Sequence, residues 1–515
     1  MNNAVSLPRD TNQALGIGQF AVDFLANRLG PGPSPAVLAR TRLFHTDAVL
    51  CGASALALRT NAPTILRKEA LEYADEGGAT PLGSRVRVKA EKAIVANASA
   101  MREWDSNGTN FGYNPALGHV AGEFGHNDFY SVAIAACQQR NLDGATALKA
   151  MVLIDEIRGR LAEVFSLKTY RIDHVVHGAI ASAAAYCALM GGSPEQIESA
   201  IGMFVAHYIP WRAIRAGKQL SDSKGASAAI SSEAAILSAK RALAGFIGPK
   251  DIFRNPESLF RQFVKTAGDS PFDLVLNHSG DDFAVMGMHF KMGLYEHQSA
   301  GALQGLLDLI AAHRELLEPN CISGILIRAY EPAFGIIGDP AKRDPHTRQS
   351  ADHSMVYIVA TMLRKAIEAR EAISSSEGTD ALWRSLMLSP YDYSLDAINH
   401  PLTRELIAKI HFEHGGPDYD AKYPDGIPTS VVITTTNGAT FDSGLIMYPA
   451  GHARNTSADL NAILNHKFAL LGALAVPGFA DIQGLVKGLE RLDSMSAADL
   501  HTVYSFEIAD RPGYE

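Results

Sequence analysis

Cysteine is scarce: four residues in 515, Cys51, Cys137, Cys187 and Cys321, with no Cys-x-x-Cys pair among them. That spacing excludes a disulfide framework and a zinc ribbon, and it leaves no clustered thiolates for an iron–sulfur cluster. A reducing compartment fits. Positive charge is also in deficit, 46 Lys and Arg against 55 Asp and Glu for a net charge of −9. A general nucleic-acid binder needs a surplus of cations on one face, so that class is excluded. No segment supplies the roughly 20 unbroken apolar residues of a membrane span. The nearest run, Gly178 to Gly192, is shorter and alanine-rich, which suits a tightly packed internal helix. The N-terminus carries Asp10 and Asp23 and lacks both a signal-peptide apolar core and an Arg-rich transit pattern. The expectation is a mature chain starting here and working in the cytoplasm, with the mitochondrial matrix as the alternative for a processed eukaryotic protein.

What is present is an ordinary globular composition, 47% hydrophobic and 20% charged. The length exceeds the roughly 250–300 residues at which single cores stop growing, so more than one core-bearing unit is expected. From Gln13 to about Gly248 the chain reads as successive helices punctuated by Gly, Pro, Asn and Asp. In Ala145 to Phe165, Leu148, Met151, Val152, Ile154, Ile157, Leu161 and Val164 recur at three- and four-residue intervals. This predicts one buried stripe with Asp155, Glu156 and Arg158 mostly outside it. Ser193-Pro194 predicts an N-cap and first turn. After about Asp281 the texture changes: Cys321 to Ala329 and Ser430 to Tyr448 read as strands, the second with a turn at Asn437-Gly438. Ser299 to His313 and His353 to Glu371 have helical periodicity, and Asp459 to Leu471 and Ala480 to Leu492 return to helix. The expected class is mainly α: a large all-helical domain from residues 1–285 and 455–515, with a smaller α+β lid at 286–454.

Four segments could carry chemistry. The stretch from Glu103 to Asn114, followed by Ala121 to Asp128, is polar and Gly-rich and clusters Asp105, Thr109 and His126 between helices. A solvated loop has the same composition. Asp173-His174-Val175-Val176-His177 opens the alanine-rich segment; two histidines on one helical face resemble a metal pair, but a third ligand is not identifiable nearby, and no metal is expected. His411 and His414 read as a solvated helix end. Arg212, Arg215, Lys218 and Lys224 place four cations within 13 residues, enough to clamp a polycarboxylate or to form a plain solvated charge run. His289 through Lys291 to His297 sits where the helical texture ends, and His297 either completes an interdomain site or is structural.

These segments, in this order, resemble the MmgE/PrpD family over nearly the whole chain. The likeness is carried by Trp-Asp-x-x-x-Thr at Asp105 and Thr109, Gly-His at His126, Asp-His at His174 and Ser-Asp-Ser-Lys-Gly at Lys224. Tyr-Glu-His at His297, Ala-Asp-His-Ser at His353 and Tyr-Pro-Ala-Gly-His-Ala-Arg at His452 complete it. The resemblance implies a cleft between a helical domain and a lid, lined by Asp105, Thr109, His126, His174, a lysine at Lys218 or Lys224, and His297. It also implies a homodimer that needs no cofactor and acts on a small tricarboxylate. Members include 2-methylcitrate dehydratase, cis-aconitate decarboxylase and an iminodisuccinate epimerase. The C-terminal motif at Tyr448 to Arg454 is most like the dehydratases, while Tyr330 and Phe334 are the nearest counterparts of a decarboxylase lid tyrosine. The implied activity is therefore a hydro-lyase converting 2-methylcitrate to a methyl-aconitate in propionate catabolism. Its proton transfer would fall to His126 and His174, carboxylate binding to Arg215, Lys218 and Lys224, orientation to Asp105 and Thr109, and a lid contribution to His297. A helical scaffold with a dead site is the non-enzyme alternative.

Overall fold

The computed structural model describes residues 3–215, 219–373 and 378–512. Lys218 lies outside them. Helices dominate, so the mainly α class holds, and among the described residues no helix is long and apolar enough to cross a membrane.

The alanine-rich segment forms the helix Val175–Leu189, and it is central. Ala179, Ala181, Ala183, Ala184 and Ala185 are fully buried because helices Gln13–Leu25, Tyr130–Arg140, Gly144–Val164, Pro194–His207 and Ser227–Leu243 all pack against it. Methyl-sized side chains let that many helix axes approach one another. At Gly178 even a methyl is too much: a Cβ there would fall 1.9 Å from the Phe129 ring. The glycine thus seats Phe129, and with it the adjoining His126 to Asp128, against the helix. Ser193 caps the next helix in a reciprocal capping box with Gln196, behind Pro194 in the first turn.

The helix expected over 145–165 runs Gly144–Val164, with the Asp143 side chain accepting the Thr146 amide at its start. Its expected polar face is corrected: Asp155, Glu156 and Arg158 are buried, since the helix lies between Val175–Leu189, Tyr130–Arg140, Pro35–Ala57 and the strand Leu274–Asn277. The buried charges are matched internally. Arg158 Nη2 lies 2.6 Å from Asp155 Oδ1 and Arg160 Nε 2.9 Å from Glu156 Oε1, while Glu156 also accepts the amides of Asn277 and Ala284. Pairing makes such burial tolerable.

The second half contains a four-stranded sheet in the order Ile410–His414, Ile322–Ala329, Thr429–Thr435, Thr440–Asp442. Ile325, Ile327 and Ala329 alternate inward, and helix Ala300–Ala312 packs on the neighbouring strand Thr429–Thr435. Gly438, with φ 87°, makes the expected hairpin turn. The segment around His411 and His414 is an edge strand rather than a helix end, and His414 pairs with Asp420 at 2.9 Å. Its partnership with Ile322–Ala329 is parallel, so the chain must cross over between them. That crossover carries Lys342, Arg348, Asp352 and His353 toward the helical half. Helix Leu460–Ala475 then packs on Pro35–Ala57.

Candidate active site

Helix Ala90–Arg102 ends in a tight turn that puts Asp105 at φ 49°, in the left-handed region. The chain continues into the two-residue strand Thr109–Asn110, which pairs antiparallel with Gly125–His126, Thr109 opposite His126. The solvated-loop reading fails here: Asp105 is 1% exposed, and Ser106, Asn107, Thr109, Asn127 and Asp128 are buried with it. Polar residues enclosed this deeply need partners: Ser106 Oγ donates to the Gly293 carbonyl, Asn127 Nδ2 to the Phe44 carbonyl and Asn107 Nδ2 to Asp128 Oδ1, while Asp105 gathers cations.

Asp105 is the hub. Lys291 Nζ lies 2.8 Å from its Oδ1 and also donates to its carbonyl; Arg102 pairs with the same oxygen. On Oδ2, His353 Nε2 is at 3.0 Å and Lys224 Nζ at 3.6 Å. Lys224, from the short helix Asp222–Gly225, also lies 3.2 Å from Asp352 Oδ1 and 3.0 Å from His353 Nδ1. Burial strips its ammonium of water and, although Asp352 opposes this, Arg102, Arg348 and Arg215 add to it; its pKa falls to about 7. Lys291 is likewise pushed well below the ordinary lysine value by burial and by Arg102.

Beside the hub, His126 Nδ1 lies 3.2 Å from His174 Nε2, a single hydrogen bond between two buried imidazoles. Burial drives both well below the usual histidine range, helped at His126 by Arg102 and Lys291 and at His174 by Arg215, with Asp173 opposing. Both rings are therefore neutral near pH 7. Asp173 Oδ1 sits 3.5 Å from His174 Nδ1. Burial works against the Asp173 charge, but Arg215, whose Nε and Nη2 both bond to it, keeps the carboxyl well below its ordinary value. With the proton on His174 Nδ1, on the side of the carboxylate, His174 Nε2 accepts from His126 Nδ1–H and His126 Nε2, 3.8 Å from Asp105 Oδ1, keeps its lone pair; the opposite tautomers reverse the bond.

Asp105, Thr109, His126, His174, Arg215 and Lys224 line one narrow cavity, together with Arg102, Arg212, Lys342, His353, Glu296 and Gln298. Among the described residues its wall presents five cations, Arg102, Arg212, Arg215, Lys224 and Lys342, against two carboxylates, Asp105 and Glu296. Phe111, Phe124, Leu220 and Ile336 supply the apolar part. A small polyanion suits such a wall.

Two expectations fit differently. His297 is buried, stacks on His289 at 5.1 Å and meets Phe111 at a tilt at 5.6 Å; its neighbours Glu296 and Gln298, rather than the ring itself, line the cavity. His177, read as half of a metal pair, bonds through Nε2 to the Phe165 carbonyl, away from His174. Among the described residues no group of three or more His, Cys, Asp or Glu is arranged to hold a metal ion. Residues not assigned from sequence include Arg102, Lys291, His353, Lys342 and Gln298. Lys291 stood inside the segment that drew attention to His297, but nothing in local spacing signals that a lysine will be buried against an aspartate 186 positions away.

The Tyr448 to Arg454 motif braces the site from behind. His452 stacks on His289 at 4.0 Å, the Ala453 amide donates to His289 Nδ1, and the His289 backbone pairs with that of Thr109.

Two family models match the chain. Residues 19–271 match the MmgE/PrpD N-terminal domain and residues 295–478 the MmgE/PrpD C-terminal domain. The chain is 26% identical over 318 residues to an alkylcitrate dehydratase from a fungal species, covering 60% of this chain and 58% of that protein. It is 26% identical over 368 residues to a mitochondrial 2-methylcitrate dehydratase from Yarrowia lipolytica, covering 68% of this chain and 65% of that one. The chain thus spans 58% and 65% of the lengths of these two relatives. With both domains matched in order over most of its length, the chain belongs to the MmgE/PrpD family.

Proposed function

We propose that the protein is a hydro-lyase that dehydrates 2-methylcitrate, or a closely related citrate, without a metal or iron–sulfur cofactor. The observation that carries this reading is the meeting of a neutral, buried histidine pair with a wall of five cations in one cavity. Dehydration breaks a C–H bond beside a carboxylate and a C–O bond on the neighbouring carbon, forms C=C and releases water. His126 Nε2, backed by His174, Asp173 and Arg215, takes the carbon-bound proton. Positive charge from Arg102, Arg212 and Lys342 stabilises the enolate-like charge that develops on the carboxylate. Lys224, with its pKa lowered to about 7, holds a carboxylate and is able to protonate the departing hydroxyl so that it leaves as water. Thr109 and Asp105 orient the substrate and the cations, and His297 supports the wall through Phe111. In this reading residues 286–454 act as a lid, since they deliver Glu296, Gln298, Ile336, Lys342 and His353 to a cavity whose remaining wall comes from the helical half.

The test is turnover of the purified protein on 2-methylcitrate, citrate, cis-aconitate and iminodisuccinate, before and after chelator dialysis. Formation of a conjugated double bond from 2-methylcitrate that survives chelation is expected. Activity only as a decarboxylase or epimerase, or activity lost to chelator and restored by a divalent ion, overturns the assignment. No turnover on any of the four would favour a scaffold with a dead site.

A further inference from the structure

Gln298 is 1% exposed and lies on the cavity wall. Its backbone amide donates to Glu296 Oε2 at 2.8 Å, which fixes the short turn His297–Ser299 ahead of helix Ala300–Ala312. Among the described residues neither Nε2 nor Oε1 of its side chain has a hydrogen-bond partner. Its neighbours His297 and Ser299 also carry unpartnered atoms, but they do not line the cavity. A buried amide left unpaired gives up its hydration with no return, so an amide facing a cavity points to a ligand group that completes it.

The rest of the wall indicates which group. Cations dominate and offer only hydrogen-bond donors, which satisfies carboxylates; a substrate hydroxyl needs an acceptor, and the wall's carboxylates, Asp105 and Glu296, would repel the carboxylates beside that hydroxyl. At the centre Lys291 and Arg102 hold Oδ1 of Asp105, while His353 Nε2 and Lys224 Nζ crowd Oδ2 at 3.0 and 3.6 Å. A primary amide supplies a neutral acceptor beside a donor and repels no carboxylate. Resting on the tricarboxylate reading of this site, we infer that Gln298 binds the hydroxy-carboxylate unit of the substrate, Oε1 accepting from the hydroxyl that will leave and Nε2 donating to the adjacent carboxylate. Gln298 would then separate the hydrated substrate from its unsaturated product.

The experiment is equilibrium binding, by titration calorimetry, of citrate and of tricarballylate, which is citrate with hydrogen in place of the hydroxyl. Wild-type protein should prefer citrate by about tenfold, the worth of one such hydrogen bond. Gln298→Met, of similar length and without polar atoms, should bring that preference to about twofold or less by weakening citrate while tricarballylate holds within about threefold. Its melting temperature should not fall, because the group removed has no protein partner. Gln298→Glu, which replaces the donor with a negative charge, should weaken both ligands and serves if the methionine variant does not fold. Equal binding of the two ligands by wild type, an unchanged ratio in Gln298→Met, or undiminished binding by Gln298→Glu overturns the role of Gln298 alone. If wild type binds neither ligand, the tricarboxylate reading itself has failed.

Discussion

Lys467, on the C-terminal helix, and Asp47, in the middle of helix Pro35–Ala57, form an ion pair at 2.6 Å with both side chains fully buried. The same ammonium donates to the carbonyls of Ser106 and Lys291 at 2.8 and 3.0 Å. It therefore ties together the two backbone segments that bring Asp105 and Lys291 into contact. Removing the cation leaves Asp47 charged and buried, so Lys467→Met should destabilise the protein by about 3–5 kcal/mol in urea unfolding. The double variant Asp47→Leu with Lys467→Met should recover part of that loss. A single variant as stable as wild type would show that the pair carries no such burden.

His126→Ala and His174→Ala should each lower kcat by about 100- to 10,000-fold, with circular dichroism unchanged. Asp173→Asn should act in the same direction but less, since it weakens the preference for one tautomer without removing a ring. If both histidine variants fold and keep near-normal kcat, proton transfer belongs elsewhere, and His297 and His353 are the next candidates.

Lys224 gives a pH signature. Its pKa lowered to about 7 means the ammonium is lost as pH rises through neutrality, so kcat should fall on an alkaline limb near pH 7. The histidine pair, held well below its ordinary range, stays neutral on the acid side of that limb. Lys224→Arg keeps a charge that does not titrate and should abolish the limb even if overall activity is reduced. Lys224→Ala should raise KM, and any accompanying drop in kcat would measure its share in protonating the hydroxyl. An unchanged alkaline limb in the arginine variant rules Lys224 out as its source.

Stability has its own pH dependence. Burial lowers His45 to about 3 and His177 to about 4, against the ordinary histidine value of about 6.5. With folded values below unfolded ones, the unfolded chain binds more protons in the interval between, so stability is greatest above about pH 6.5 and is lost as pH falls toward 4 and 3. At pH 5 each histidine should cost about 2 kcal/mol relative to neutral pH. Denaturant midpoints at pH 7.5, 6 and 5 check this, and His177→Gln should flatten the slope if the residue contributes as described.

Periodicity alone located the helices at 144–164, 300–312 and 355–368, the hairpin at Gly438 and the strand Ile322–Ala329, because these follow from local spacing of apolar side chains and from turn chemistry. The same reasoning misplaced Asp155, Glu156 and Arg158, which local pattern assigns to solvent and tertiary packing buries in matched pairs. It also read the strand at His411 as a helix end, since an edge strand takes its identity from a partner 85 residues earlier.

The sequence by itself determined many of the elements and the mainly α class, and through the order and spacing of its motifs it marked Asp105, His126, His174 and Lys224 as candidates. Only the tertiary structure decided that these meet in one cavity, that Lys291 and His353 share the Asp105 carboxylate, that His297 turns to His289, and that Gln298 faces inward. The physical reason is that desolvation and charge pairing depend on what lies nearby in space. Lys224 is an ordinary lysine in its local sequence, and it becomes a group titrating near neutrality only once the fold has taken its water away and set three arginines around it.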